Sequence, residues 1–313
     1  MSTRFAVAAV ALSTLTASVA HADRSVAYCI PQGNPPVLRV FDLADPSQFR
    51  SIPLSSSLNA IPGGLDFDDT GTLFATDWSQ YVYRINPTTG ATNTLPRRFE
   101  TYSSFGKDLS WDPSTQNLIG MRYGSLPNQP MATNMYYAID RSSGEGRLLG
   151  FITGIPNPGG TVAAVLGLAI ERSGRCILSP LTNQRLFVTD SISDFSATQL
   201  TAFTGANTTP EGLGCDWTRS GRVYGVDYQG QLRLVNPDGS TTLMATLGGG
   251  YVDIAIDPLC AADFNRDRTV DFFDYLDFVA AFSGSSATAD FDFSGTLDLF
   301  DYLDFVGHFA QGC

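Results

Sequence analysis

The chain has little of the chemistry on which many enzymes and nucleic-acid-binding proteins depend. Its 313 residues include two histidines, His21 and His308, and one lysine, Lys107. Residues 22–307 therefore cannot form a Ser-His-Asp or Cys-His arrangement or a histidine-rich zinc site. The net charge is −12, and phosphate binding depends on Lys and Arg. We therefore expect no nucleic-acid partner.

The chain also has no apolar run of the roughly 20 residues that cross a bilayer as a helix. Residues 1–22 carry one charge, Arg4, then a short apolar stretch, and end in Ala20-His21-Ala22. This layout is typical of a secretory signal peptide that is cleaved after Ala22. We expect a mature chain without a transmembrane segment that is secreted, either extracellular or on the cell surface.

Two short strand patterns recur between Ser25 and Pro258, and no long segment has a helical period. The first is an apolar strand that ends in an acid, and its copies begin 41 to 59 residues apart. It occurs as LDFD at 65–68, LSWD at 109–112, LAIE at 168–171, LGCD at 213–216 and IAID at 254–257. Because each acid follows the repeat and precedes a turn, we interpret these acids as turn caps.

The second pattern is an alternating strand that ends in Asn or Asp before a turn rich in Pro, Gly and Ser. Its copies end at Asp42, Asn86, Asp140, Asp190 and Asn236. Units of about forty residues with several short strands are typical of propeller blades. The last unit has only the first pattern and the N-terminal piece only the second, so together they complete one blade and close a ring.

These patterns predict a mainly β protein, with a five-bladed β-propeller over residues 23–258, followed by a small all-α module over residues 259–313. A β-sandwich and a six-bladed ring are the alternatives, since the 59-residue gap that contains residues 124–134 has room for extra strands.

Four polar residues break the repeat just before the first strand of a blade: Lys107, Asp108, Glu211 and Asp253. The first strand of a blade lines the central channel, so these residues are candidates to bind a carbohydrate or protein ligand at one channel mouth. The alternative is that they are channel-lining residues in contact with water. Two carboxylates about 5–9.5 Å apart would also suit glycoside hydrolysis.

An acidic, aromatic sequence occurs twice near the C-terminus, and residues 263–313 contain ten Asp and two Arg. Ca²⁺ takes oxygen ligands at positions one, three, five, seven, nine and twelve of a loop. Two copies match this spacing: Asp263, Asn265, Asp267, Thr269, Asp271 and Asp274, then Asp290, Asp292, Ser294, Thr296, Asp298 and Asp301. We predict two Ca²⁺ sites, and poor order without calcium because four carboxylates in each loop repel one another.

The tandem loop–helix units, with Asp at position twelve and a terminal Gly312-Cys313, resemble the GC-type dockerin domains of secreted bacterial proteins. The resemblance implies two bound Ca²⁺ ions and docking to a cohesin-like protein or to a cell-envelope component. One departure is Arg268 at position six, where Gly295 stands in the second copy. We expect the first site to be strained and weaker.

A second departure lies at positions ten and eleven, where some dockerins carry Ser or Thr for partner contact. The residues here are Phe272, Phe273, Leu299 and Phe300. A segment of about fifty residues has more apolar side chains here than it can bury, so we predict an exposed partner patch. The alternative is packing against the propeller, which the short linker at 257–263 favours.

The five cysteines leave at least one without a partner inside the chain. Cys260 and Cys313 bracket the C-terminal module, whose ends a pseudo-twofold arrangement brings together, and they are the candidate disulfide. The alternative keeps Cys313 free for attachment to the envelope. Cys176 and Cys215 are placed to pair across adjacent blades, which leaves Cys29 unpaired.

The sequence therefore favours a secreted, non-catalytic propeller protein that its C-terminal module docks or anchors in a cell-surface assembly. The alternative is a polysaccharide-active hydrolase that uses carboxylates at the channel mouth.

Overall fold

The computed structural model describes residues 24–33, 35–55, 62–77, 79, 81–98, 105–125, 132–156, 163–181, 185–202 and 210–312. The predicted signal peptide and Cys313 lie outside these ranges. Within them, no helix has the length and apolar character needed to cross a membrane.

The described strands form five antiparallel four-stranded sheets. Their bounds are β1 (Val26–Pro31), β2 (Val37–Asp42), β3 (Arg50–Pro53), β4 (Pro62–Phe67), β5 (Leu73–Asp77), β6 (Tyr81–Ile85), β7 (Thr92–Arg98), β8 (Phe105–Asp112), β9 (Asn117–Gly124), β10 (Thr133–Ile139), β11 (Gly146–Ile152), β12 (Val165–Ile170), β13 (Cys176–Pro180), β14 (Arg185–Thr189), β15 (Thr198–Ala202), β16 (Gly212–Cys215), β17 (Val223–Val226), β18 (Gln231–Val235), β19 (Thr241–Thr246) and β20 (Tyr251–Ile256).

The sheets are the blades of a five-bladed β-propeller, as the repeat predicts. Four blades are consecutive meanders, β4–β7, β8–β11, β12–β15 and β16–β19, and the fifth has the order β20-β1-β2-β3. The last strand thus pairs with the first, which completes the fifth blade and closes the ring. The first sequence pattern forms the innermost strand of each blade, and the second forms the third strand.

Glycine allows the innermost strands to approach one another closely around the central axis. A Cβ atom on Gly64 of β4 would lie 2.4 Å from the amide nitrogen of Leu109 on β8. A Cβ atom on Gly214 of β16 would lie 2.2 Å from the carbonyl oxygen of Ile254 on β20. Larger side chains at these two positions would push neighbouring blades apart.

The acids at the ends of the innermost strands cap turns. Asp68 Oδ1 accepts hydrogen bonds from the amides of Thr70 and Thr72, at 2.9 and 3.0 Å. Asp112 Oδ1 accepts one from the Ser114 amide at 2.9 Å. These bonds satisfy turn amides locally, which confirms the structural interpretation of the repeated acids.

Two helices follow the propeller, α1 (Phe272–Ser283) and α2 (Leu299–Gln311), with a short 3₁₀ turn, Ala287–Ala289, between them. Each helix begins at a capping box. Asp271 pairs with Asp274 at the start of α1, and Asp298 pairs with Asp301 at the start of α2.

The core of the C-terminal segment, residues 259–312, is aromatic. The buried rings of Phe278 and Phe305, at equivalent positions in α1 and α2, stack with centroids 3.9 Å apart. Phe291 meets the Phe305 ring edge-on at 5.4 Å. This small cluster holds the two loop–helix units together, since buried aromatic pairs add specific contacts to their area burial.

The C-terminal segment packs on the propeller through its loops. Arg24, before β1, lies over the rings of Phe291 and Phe293 at 4.5 and 4.6 Å from their centroids. Phe293 is buried and belongs to the same apolar cluster as Tyr28 and Phe67 of the propeller. The loops therefore pack against the propeller, whereas the patch residues, for which that packing was the alternative, remain exposed and are described below.

The described cysteines do not pair as the spacing suggests. Cys29, Cys176 and Cys215 carry free, buried thiols, so the expected Cys176–Cys215 disulfide is wrong. Each of these thiols lies within the apolar interior of a different cluster of blade residues. Cys313 lies outside the described residues, so its pairing with Cys260 stays a prediction.

Candidate functional site

Three carboxylates of the second acidic loop, residues 290–301, lie together. One oxygen each from Asp290, Asp292 and Asp301 falls within 4.8 Å of the others. Asp301 is completely buried, and Asp290 is buried as well. A group of this kind can hold a metal ion.

Backbone amides fix the orientation of the central carboxylate in this loop. Asp301 Oδ1 accepts hydrogen bonds from the amides of Phe291 and Asp292, at 2.6 and 3.2 Å. Its Oδ2 accepts one from the Asp298 amide at 2.8 Å. The loop therefore wraps around the Asp301 carboxylate, which lies at the N-terminus of α2.

The first loop, residues 263–274, repeats this arrangement. Asp274 accepts hydrogen bonds from the amides of Asn265 and Asp271, at 3.0 and 2.9 Å. Asp263 accepts one from the Arg268 amide at 2.9 Å, as Asp290 does from Gly295. Both loops carry four aspartates, but the first has Asn265 and Asp267 at positions three and five, where the second has Asp292 and Ser294.

The backbone of both loops turns through the left-handed region at the same positions. At position six, Arg268 has φ +76° and Gly295 has φ +80°. At position four, Arg266 has φ +62° and Phe293 has φ +60°. A side chain in this region costs roughly 1–2 kcal/mol relative to glycine. The expected strain at Arg268 is therefore present in the first loop and absent at Gly295.

No ion pair balances the loop carboxylates in the described part of the chain, and Arg50 acts on Asp290 only at longer range. Among the described residues, no Lys, Arg or His lies at ion-pair distance from an acid of either loop. Burial raises the pKa of Asp290 from its usual value, and the neighbouring Asp301 and Asp292 raise it further. Burial also raises the pKa of Asp263. Buried acids without counter-charges are costly, so this all-oxygen donor set fits a hard cation.

The central channel holds a second carboxylate group. Asp108 on β8 and Asp253 on β20 are buried and hydrogen-bond to each other through their side chains. Burial raises the pKa of both carboxyls well above the usual range, and the charge of Asp253 raises that of Asp108 further. Burial therefore favours the protonated form of the pair.

These channel carboxylates bridge adjacent blades through backbone amides. Asp253 Oδ2 accepts a hydrogen bond from the Leu65 amide at 2.6 Å, and Asp108 Oδ2 accepts one from the Leu168 amide. Asp66 Oδ2 accepts one from the Trp111 amide at 2.7 Å, and burial raises the pKa of Asp66 to about 7. Their geometry is that of structural links between innermost strands.

The four channel-mouth candidates do not form one cluster among the described side chains. Asp108 and Asp253 are in contact, whereas Glu211 hydrogen-bonds to Tyr228 instead. Burial raises the pKa of Tyr228, and the charge of Glu211 raises it further. The side chain of Lys107 lies outside the described part of the chain. Asp108 and Asp253 are in hydrogen-bond contact and buried, so they lack the solvent-accessible separation of about 5–9.5 Å that glycoside hydrolysis requires.

Sequence reasoning missed Asp66, although a signal was available. The residue after the first-strand Leu or Ile is small in the other four blades: Ser110, Ala169, Gly214 and Ala255. A carboxylate at that position breaks the repeat, which is the criterion that selected Asp108 and Asp253.

The predicted partner patch is exposed. Its four residues are 63–69% exposed: Phe272, Phe273, Leu299 and Phe300. Leu276 on α1 and Leu303 on α2 extend it, at 43% and 54%. Both helices therefore present apolar side chains to solvent near their N-terminal ends, while the loops contact the propeller.

Comparisons with known proteins assign no family. No family model matches the chain, and no curated protein matches it. The structure resembles a putative gluconolactonase, with TM-score 0.45, 14% identity, and 69% of this chain and 76% of that chain covered. It also resembles a gluconolactonase from Xanthomonas campestris, with TM-score 0.45, 11% identity, and 69% and 74% covered.

Virginiamycin B lyase from Staphylococcus aureus is similar as well, with TM-score 0.40, 12% identity, and 69% and 68% covered. The five-bladed ring of this chain rests on its own strand pairing.

Proposed function

We propose that this chain is a secreted propeller protein that a calcium-binding, dockerin-like module docks into an extracellular or cell-surface assembly. In this proposal residues 1–22 are a signal peptide, residues 23–258 form the propeller and residues 259–313 form the docking module. The proposed partner is a cohesin-like protein. The docking module attaches the propeller to the assembly, and the propeller binds a carbohydrate or protein ligand.

The observation that carries the proposal is that the C-terminal segment has two distinct faces. Its loops contact the propeller, and its helices present apolar side chains to solvent. Its loops bury Phe293 in the propeller's apolar cluster and place Phe291 against Arg24. Its helices leave six large apolar side chains exposed in two equivalent sets. Exposed apolar patches of this kind mark protein interaction sites, and the patch residues occupy loop positions ten and eleven.

The loop carboxylates support the calcium part of the proposal. Asp290, Asp292, Asp298 and Asp301, with the Ser294 side chain and the Thr296 carbonyl, would hold one Ca²⁺ ion. The equivalent residues of the first loop, Asp263, Asn265, Asp267, Thr269, Asp271 and Asp274, would hold the second. The ions would supply positive charge that orders the loops and thereby sets the orientation of α1 and α2.

The experiment is a capture assay with the full mature chain, using envelope and secreted fractions of the producing cells, in calcium and in calcium-depleted buffer. The test variant is the double change Phe273→Ser and Phe300→Ser. The matched control is Leu243→Ser, because Leu243 is an exposed apolar residue of the propeller, on β19. Any captured protein is then purified and titrated against the wild-type chain.

We expect one partner that is retained in calcium, lost without it, lost with the double variant and kept with the control. Retention that the double variant does not change would reject the patch as the docking surface. Retention only through a thioether, lipid or disulfide on Cys313 would favour envelope attachment in place of docking.

A further inference from the structure

A partly enclosed cavity of about 130 Å³ lies where the C-terminal segment meets the propeller. Three arginines line it: Arg24, Arg50 and Arg266. Its apolar wall consists of Tyr28, Phe264, Phe291 and Phe293, and the hydroxyl-bearing Thr88 and Thr288 also line it. The volume is well below the roughly 300–1,000 Å³ of sites for drug-sized ligands, so only a small molecule fits.

Two of the three arginines already have carboxylate partners. Arg24 pairs with Asp42 at 3.1 Å and with Asp304 at 3.3 Å. Arg266 pairs with Asp257 at 2.7 Å. Their charges are therefore balanced within the protein.

Arg50 differs from them. No carboxylate of the described residues lies at ion-pair distance from its guanidinium, which donates one hydrogen bond to the Ala287 carbonyl at 2.6 Å. Its Nε atom is buried and has no acceptor. Burial lowers the pKa of Arg50 because the charged form is desolvated. Arg50 is partly buried, and a desolvated cation without an ion-pair partner is stabilised when an anion completes it.

Asp290 lines the same cavity, but its carboxylate is too far from the Arg50 guanidinium to form an ion pair. Its proposed role as a calcium ligand commits its charge to the metal ion. With calcium bound, the cavity thus keeps one unbalanced positive charge beside aromatic walls.

We propose that this cavity binds a small organic monocarboxylate, with its carboxylate on the guanidinium of Arg50 and its apolar body against the aromatic wall. A guanidinium offers a planar pair of donors that matches a carboxylate. One unbalanced guanidinium matches one negative charge, and the rings of Phe291 and Phe293 favour an apolar body over a fully hydrated inorganic anion. The site rests on the calcium part of the proposed function, because bound calcium commits the charge of Asp290, and it depends on neither the patch nor its docking partner.

The test is calorimetric titration of the full mature chain, in calcium and chloride buffer, with benzoate, acetate, inorganic phosphate and the neutral analogue benzamide. We expect saturable benzoate binding at millimolar concentrations. Acetate should bind more weakly because it lacks the apolar ring, and phosphate and benzamide should bind at least tenfold more weakly than benzoate.

Variants identify the cavity as the site. Arg50→Met, which keeps the apolar stem, should weaken benzoate binding at least tenfold, and Arg50→Lys should weaken it less because the charge remains. Arg97→Met is the control, since Arg97 forms an exposed ion pair with Glu145 and its loss should leave binding unchanged.

Several results would overturn the proposal. These are no saturable binding of either carboxylate, equal binding of benzamide, preferential binding of phosphate, or benzoate binding that Arg50→Met leaves intact. If Arg50→Met does not fold, the ligand series on the wild-type chain and the Arg50→Lys variant still decide. Repeating the benzoate titration in calcium with the Phe273→Ser and Phe300→Ser double variant separates the two proposals, because this variant should lose the docking partner and keep benzoate binding.

Discussion

Arg266 and Asp257 form a bidentate ion pair that joins the C-terminal segment to the end of the last propeller strand. The Nη1–Oδ2 and Nη2–Oδ1 distances are 2.7 and 3.2 Å, and Nη2 also donates to the Gly71 carbonyl at 3.0 Å. Arg266 is at position four of the first loop, and Phe293, at position four of the second, lies in the propeller's apolar cluster. The same position of both loops thus contacts the propeller.

We predict that Arg266→Ala lowers the free energy of unfolding by roughly 2 kcal/mol, because Asp257 is left buried without its partner. The measurement is urea unfolding in saturating calcium, followed by limited proteolysis of the linker near Pro258. Arg97→Ala is the matched control, since its exposed pair with Glu145 should contribute about 0.5 kcal/mol or less. Equal losses in the two variants would contradict a specific role for Arg266.

The calcium proposal predicts two bound ions per chain, of which the second loop holds one. Asp301→Asn should weaken one of the two sites at least tenfold, because ligand charge sets Ca²⁺ affinity. Calcium titration by calorimetry measures both sites. Asp277→Asn is the control, since Asp277 is an exposed helix residue outside the ligand positions. A stoichiometry that neither variant changes would argue against metal binding by these loops.

The left-handed conformation of Arg268 predicts unequal sites. Arg268→Gly should relieve about 1 kcal/mol of backbone strain and strengthen the weaker calcium site about fivefold. Ser285→Gly is a matched control, because Ser285 also has a positive φ, +54°, outside both loops. It should raise stability without changing calcium affinity. If both variants change the affinity equally, strain at position six is not the cause of the difference.

The Asp108–Asp253 pair predicts that the propeller loses stability as the pH rises. Burial raises both pKa values in the folded state, so the folded chain binds more protons than the unfolded chain above about pH 4. The contribution is fully present below the unfolded pKa and is lost as the pH rises through the folded values. Asp66, with a pKa raised to about 7, contributes with the same sign.

The variant Asp253→Asn tests this sign, because it keeps the side-chain hydrogen bond and removes one titrating group. We expect the free energy of unfolding at about pH 7.5 to exceed that of the wild type by at least about 1 kcal/mol, with a smaller difference at about pH 5. Urea unfolding in saturating calcium measures it. Asp140→Asn is the control, since hydrogen bonds from Ser142 and Ser143 lower the Asp140 pKa to about 2, so it stays ionised across this range. If the free energy of unfolding depends on pH as steeply in the variant as in the wild type, the Asp108–Asp253 pair is not the source of the pH dependence.

Much of the fold follows from the sequence because its signals are local. Alternating strands and turns such as that at Asn86, whose side chain accepts hydrogen bonds from the Thr88 and Thr89 amides at 2.9 Å, need only nearby residues. The incomplete units at 38–42 and 254–257 indicate how the ring closes, because an unpaired edge strand needs a partner. The spacing of oxygen ligands in the acidic loops is equally local.

Only the tertiary structure decided which distant groups meet. Asp108 and Asp253 are 145 positions apart in the sequence and contact each other because the ring brings β8 and β20 to either side of Gly64. Cys176 and Cys215 remain unpaired because each thiol lies in the apolar interior of its own blade region. Arg50 forms no ion pair among the described residues, because Asp257 pairs with Arg266 and Asp290 does not reach ion-pair distance.

The sequence by itself determined the repeated elements, the acidic loops and the surplus of aromatic residues at loop positions ten and eleven, since these depend on residue type and spacing. The tertiary structure decided which face of the C-terminal segment is free. Arg266 and Phe293 direct the loops onto the propeller, and Phe273 and Phe300 therefore stay exposed. The physical reason is that burial depends on contacts between residues far apart in the chain, which local patterns do not specify.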